Sequence, residues 1–267
     1  MTNGFRVITA IAKTTLHEAI RKKVLLVTLL IGLLFLMITP SLSVLSVRQE
    51  RTVLIGLTLG IIQMTSLVIA LVLTMGLIPE EIERRTLYTI LSKPVQRWQF
   101  LLGKYLGAIM TLAIMMGILT LNFVLMFIFQ QHVYAYQQIA ELLKAPGMFF
   151  IQMSLLSALV LFFSTWMGAT INFFLSGSIY LLGSLFNPML ESLVSAQTSS
   201  SFLKSLAIIV NTILPNFANY NVQNPIIHAG QQIQNETFYT LNVIIYGIFY
   251  ISILLVGGIL IFDRREI

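Results

Sequence analysis

Five stretches of the chain, residues 24–47, 52–79, 105–140, 145–190 and 237–262, contain no Asp, Glu, Lys or Arg. Each exceeds the ~20 residues an α-helix needs to cross a bilayer core, and no other feature constrains the fold so strongly. Soluble domains carry about a quarter charged residues, whereas here 10% are charged and 57% are hydrophobic, with a mean hydropathy of +0.88. Lipid offers no partner to exposed backbone groups, so the runs predict helices. The run 145–190 is too long for one crossing and predicts a return near "MGATIN" (167–172). The expectation is an all-α integral membrane protein, one domain over 1–267, with six spans at about 24–46, 53–78, 105–129, 148–168, 172–190 and 241–262.

Basic residues set the orientation. With the N-terminus cytoplasmic, twelve of the sixteen Lys and Arg lie inside, and only Arg48, Arg51, Lys144 and Lys204 lie outside. That bias predicts a multi-pass protein of the plasma or inner membrane with both termini cytoplasmic. The apolar piece "SLAIIVNTIL" (205–214) would make ~15 Å of helix, half a hydrocarbon core, so it is expected to dip in and return. The net charge of +6 sits at span ends and forms no basic face, so no nucleic-acid partner is expected. Without cysteine there is no disulfide framework, thiolate nucleophile or Cys-type metal site. The 23 residues before the first run predict a signal anchor in place of a cleaved signal peptide.

Ahead of the first span, residues 5–23 place Ile8, Ile11, Ala12, Leu16, Ala19 and Ile20 on one helical stripe, and Arg6, Thr9, Lys13, His17 and Arg21 on another. This pattern predicts a helix lying in the membrane interface, its basic residues Arg6, Lys13, His17 and Arg21 toward lipid headgroups. After the second span, "EEIERRTLYTILSKPVQRWQF" (80–100) follows Pro79 with three acids, which suit a helix N-terminus. A helix over about 80–91 should end before Pro94. A second should start near Arg97, with Trp98 and Tyr105 at headgroup level. A helical "YQQIAELLK" should stop at Pro146 and Gly147. The largest external feature is 191–240, rich in Asn and Gln toward its end.

The six spans as drawn hold no Asp, Glu, Lys, Arg or His. Such residues in lipid usually mark ion paths, so a proton-coupled carrier or charge-lined channel is not expected. Gln63, Asn122, Gln152 and Asn172 remain at depth, where amides more often join helices than bind substrate. Two GxxxG patterns, Gly56 with Gly60 and Gly103 with Gly107, allow close helix approach without identifying a dimer surface. The spelling E-E-x-x-x-R at Glu80, Glu81 and Arg85 resembles the first motif of CAAX-processing intramembrane metalloproteases. The three histidines, His17, His132 and His228, are scattered, however, and a metal site needs converging ligands. A loop serving only topology is the simplest reading of 80–100. Against it stands the apolar set Ile82, Leu87, Ile90 and Leu91, which needs a surface to cover it.

The same stretch, continued through "FLLGKYLG", resembles the cytoplasmic motif of ABC-2 type permeases, in the branch that includes multicopper-enzyme-maturation and gliding-associated permeases. Glu81, Glu83, Arg84, Thr86, Leu87, Leu91, Ser92, Pro94, Val95, Arg97, Gly103 and Lys104 occupy the motif's places, with Arg85 where a small residue is common. "LPNF" (214–217) also resembles that branch.

The resemblance implies an ABC-2, type V exporter fold: an N-terminal interfacial helix, a cytoplasmic coupling helix and an external re-entrant segment at 191–240. It implies a permease that pairs with a second copy or paralogue and sits on two separate ABC ATPase subunits. It assigns Glu80, Glu81, Ile82, Glu83, Arg84, Arg85, Leu87 and Leu91 to the ATPase-coupling interface. No GxxxxGK[ST] phosphate loop is present, so no cofactor is expected on this chain, and ATP with Mg is expected in the partner ATPase. The subunit itself would be no enzyme. It would couple ATP hydrolysis to movement of an amphipathic or lipidic substrate, or to force transmission. The alternatives are a membrane scaffold independent of any ATPase, or an intramembrane metalloprotease.

Overall fold

A computed structural model describes residues 2–43, 50–83, 95–131, 136–186, 214–221 and 236–264. Among them are α1 (Thr2–Arg21), α2 (Lys23–Ser43), α3 (Glu50–Met75), α4 (Pro79–Glu83), α5 (Arg97–Gln131), α6 (Tyr136–Ser164), α7 (Ala169–Leu181) and α8 (Glu236–Arg264). A π turn, Leu182–Phe186, continues α7, and a 3-10 turn covers Ala218–Tyr220. No strand occurs among the described residues.

Among the described residues, five helices are long and apolar enough to cross a membrane: α2, α3 running on through α4, α5, α6 and α8. The expected fifth span, 172–190, is described as far as Phe186. α7 has 13 residues, or about 20 Å at 1.5 Å per residue, and the π turn continues it to Phe186; residues 187–190 lie outside the described ones. The chain turns before it at Thr165–Gly168, slightly earlier than 167–172.

The helices run alternately up and down. α3 and α6 form the buried centre: Met153, Leu155, Leu156, Ala158, Val160 and Leu161 of α6 are all fully buried, as befits a helix apolar all round and enclosed by neighbours. α3 packs against α2, α5, α6 and α7, and α6 also against α5, α7 and α8. The outer helices α2 and α8 present Leu30, Leu34, Phe35, Ile245, Phe249 and Ile253 outward, an apolar surface that favours an apolar surround over water.

Two local expectations change. Pro146 and Gly147 do not end a helix, since α6 continues through both from Tyr136 to Ser164. Proline removes one backbone bond, and a membrane helix enclosed by others tolerates this; Pro146 is buried. Tyr105 is no headgroup anchor either. It is 7% exposed and its hydroxyl donates to the Ser154 carbonyl at 3.2 Å, joining α5 to α6. Trp98 remains partly exposed, with its indole N–H donating to Gln96 Oε1.

Candidate functional site

Most charges of the described residues gather at one end of the bundle, where α1 packs against the starts of α2 and α5, α4 meets them through ion pairs, and the end of α8 meets the start of α5. α1 is placed by glycine. A Cβ on Gly103 would lie 2.7 Å from Ile11 Cβ and 3.1 Å from the Ile8 carbonyl oxygen; one on Gly107 would lie 2.6 Å from Thr15 Cβ and 2.7 Å from the Ala12 carbonyl oxygen. Carbon atoms in contact prefer ~3.5–4.0 Å, so only glycine lets the two backbones approach this closely. The Gly103/Gly107 pattern is therefore the seat of α1 on α5 within one chain. Gly60, by contrast, has nothing within 4 Å.

This seat shows what covers the apolar stripe of α1. Ile8, Ala12, Thr15 and Ala19 are buried against α5, so the chain's own helix covers much of the apolar face of α1. Ile20 and Phe5 are exposed. Arg6, Lys13, His17 and Arg21 are all exposed on the remaining surface, and the His17 ring Nδ1–H donates to the Lys13 carbonyl at 2.8 Å.

Two lysines tie this platform to α4. Lys22, the single residue between α1 and α2, holds both oxygens of Glu80 at 2.9 and 3.0 Å. Gly76 leaves the space that the Glu80 side chain folds back into. Lys104, on α5 beside Gly103, is 4% exposed. Its ammonium donates to Glu81 Oε1 at 2.6 Å, lies 3.7 Å from Glu18 Oε2 of α1, and stands 5.7 Å from the Phe100 ring. A cavity of about 350 Å³ opens among Glu18, Arg21, Lys22, Glu80, Glu81 and Lys104. On the opposite side Phe100 stacks on Phe262 at 6.1 Å. Arg97 lies over Phe262 and donates to the Phe262 and Asp263 carbonyls at 2.8 and 3.0 Å. An arginine there satisfies orphan carbonyls at the end of α8 and complements its dipole.

Of the residues assigned to the coupling interface, Glu80 and Glu81 turn toward the chain's own lysines. Ile82 packs against its own core, and Glu83 is exposed. Arg84, Arg85, Leu87 and Leu91 lie outside the described residues. Sequence reasoning missed Lys22, Lys104 and Glu18 as partners. The signal was there: acids end one span and lysines open its neighbours, which alternation brings to the same end. Among the described residues no three His, Asp or Glu side chains are grouped to hold a metal ion.

A second polar set lies about midway along the bundle. Gln63 Nε2 donates to Gln152 Oε1 at 3.3 Å and to the Tyr180 hydroxyl at 3.2 Å, and Gln152 Nε2 donates to the Phe217 carbonyl at 2.8 Å. The Phe217 N–H donates to the Gly183 carbonyl at 3.2 Å, and Phe217 and Tyr220 are fully buried. Gly183 and Gly247 leave room for Phe217 and Tyr220 respectively. Gln152 stands twelve residues before the end of α6 at Ser164, so Phe217 reaches to about 18 Å from that end. The segment 214–221 thus dips into the bundle. The piece 205–214, which the sequence marked as the dipping one, lies outside the described residues except for Leu214. Asn172 sits lower, donating to the Val160 carbonyl at 2.9 Å and accepting from the Ser176 hydroxyl. These amides join helices, and Asn122 is half-buried on α5.

Residues 9–267 match the family model described as ABC-2 family transporter protein. A comparison with curated proteins found no match.

Proposed function

Because the chain belongs to the ABC-2 transporter family, we propose that it is the permease subunit of an ABC exporter, driven by ATP hydrolysis on separate ATPase subunits. Two ATPases would dock at the charged end, beneath this chain and a second copy or paralogue. The observation that carries this reading is the bridge from α4 to the rest of the bundle. Glu80 and Glu81 are held by Lys22 and Lys104, so a displacement of α4 is passed to α2 and, through α5, to α1. A push on the chain that follows α4 would then be felt by the spans.

The excess of Lys and Arg at this end supports a cytoplasmic placement of it and of both termini. The long runs without ionisable residues support an amphipathic or lipidic cargo, or force transmission to an external partner, over a small ion.

Within 84–94, the apolar Leu87 and Leu91 are assigned most of the contact energy with the ATPase, at about 25 cal/mol per Å² hidden. Exposed Glu and Arg pairs contribute only about 0–1 kcal/mol each. The test is affinity purification in mild detergent with identification of what comes along. An ATPase should co-purify with the parent chain and be depleted with Leu87→Asp. A parent chain that brings down no ATPase would favour the scaffold alternative, and an undiminished complex with Leu87→Asp would remove residue 87 from the interface.

A further inference from the structure

We propose that Lys104 is a shared anchor whose carboxylate partner exchanges between Glu81 and Glu18, letting α4 shift against the α1–α5 pair without stranding a buried charge. The inference takes from the proposed function only that α4 moves.

The side chains divide into two mechanical groups. Lys104 and Glu18 ride on α5 and α1, which Gly103 and Gly107 hold at backbone contact. Glu81 rides on α4, joined to α3 by the turn Gly76–Ile78 and opened by Pro79. A shift of α4 therefore lengthens Lys104–Glu81, now 2.6 Å, and leaves Lys104–Glu18, now 3.7 Å, within reach. The second tie, Lys22–Glu80, has both side chains about a third exposed, so water can replace it at small cost.

Lys104 has no such freedom, because its side chain is 5% exposed and an unpaired buried ammonium is strongly destabilising. Glu18 is 64% exposed and keeps most of its hydration, which makes it a weak partner while Glu81 is present and an available one when Glu81 leaves. The ammonium carries three donors on a flexible stem. The cavity bordered by Glu18, Glu81 and Lys104 provides the room in which it can swing.

The experiment uses the full chain in detergent and needs no ATPase, so failure of an ATPase to dock would sink the proposed function and leave this result standing. Glu18→Gln, Glu81→Gln, the double variant, and the double variant with Lys104→Met are compared by thermal unfolding. Each single change should lower the midpoint by no more than about 3 °C. The double change should lower it by more than the sum, by about 8 °C or beyond, and adding Lys104→Met should recover at least half. Strict additivity would overturn the proposal. Should the double variant fail to fold, zero-length carbodiimide cross-linking of the single variants decides. Glu81→Gln should raise the Lys104–Glu18 product several-fold over the parent, and an unchanged yield would show that Lys104 does not exchange partners.

Discussion

Gly107→Ala offers a direct test of how α1 is held. In an ordinary helix interior this change stabilises by about 1 kcal/mol, since alanine has the better helix propensity. Here the new methyl would stand 2.6 Å from Thr15 Cβ and 2.7 Å from the Ala12 carbonyl oxygen. Neither neighbour is the end of a flexible side chain, so no rotamer change relieves the contact and α1 must move outward by about 1 Å to restore ordinary separation. Overpacking of this kind costs about 1–3 kcal/mol. The net expectation is a loss of up to about 2 kcal/mol, or a few degrees in the unfolding midpoint. Gly117→Ala on the same helix is the internal control: nothing lies within 4 Å of its Cβ position, and it should be neutral or slightly stabilising. Because the chain has no cysteine, Thr15→Cys reports the local separation. Thr15 is 1% exposed, so this thiol should react slowly in the parent and about tenfold faster beside Gly107→Ala. If Gly107→Ala melts at or above the parent while the thiol stays protected, the glycine seat does not hold α1.

Three further outcomes follow from the geometry. Gln152→Leu keeps the volume but leaves the Phe217 carbonyl and a Gln63 N–H without their partner. It should cost about 1–2 kcal/mol and speed labelling of Asn216→Cys, whose backbone bonds Tyr246 in the same turn; unchanged labelling would mean the turn is held without Gln152. Glu80→Gln should cost no more than about 1 kcal/mol, a difference that shrinks as salt rises toward 0.5 M or so, checked by unfolding at two ionic strengths. Arg97→Ala should release the last turn of α8 to hydrogen exchange by roughly a factor of five to thirty, the equivalent of 1–2 kcal/mol. Arg97→Lys should fall between, because an ammonium keeps the positive charge at the end of α8 but loses the flat guanidinium face that lies over Phe262.

The charge-free runs were enough to identify a helical membrane protein, because the length of an apolar run and the absence of backbone partners in lipid act on each segment separately. The platform at the charged end was legible in part. The amphipathic pattern of residues 5–23 marked a helix with one face to cover, and the acids after Pro79 marked a helix start. What covers that face depended on Gly103 and Gly107, whose spacing is common in membrane helices and carries no partner label. Glu80 and Glu81 read as surface acids because their lysines lie 58 and 23 residues away in sequence. Likewise "LPNF" was noticed as a motif, but the burial of its Phe217 rests on room left by Gly183, which no local pattern announces. Sequence by itself therefore determined the solvent, the helical class and where the charges cluster, since these follow from composition along one dimension. Only tertiary structure decided which glycine receives which helix and which acid finds which lysine. Contacts of a few ångströms between distant segments are set by packing, and each helix leaves several packings open until its neighbours are in place.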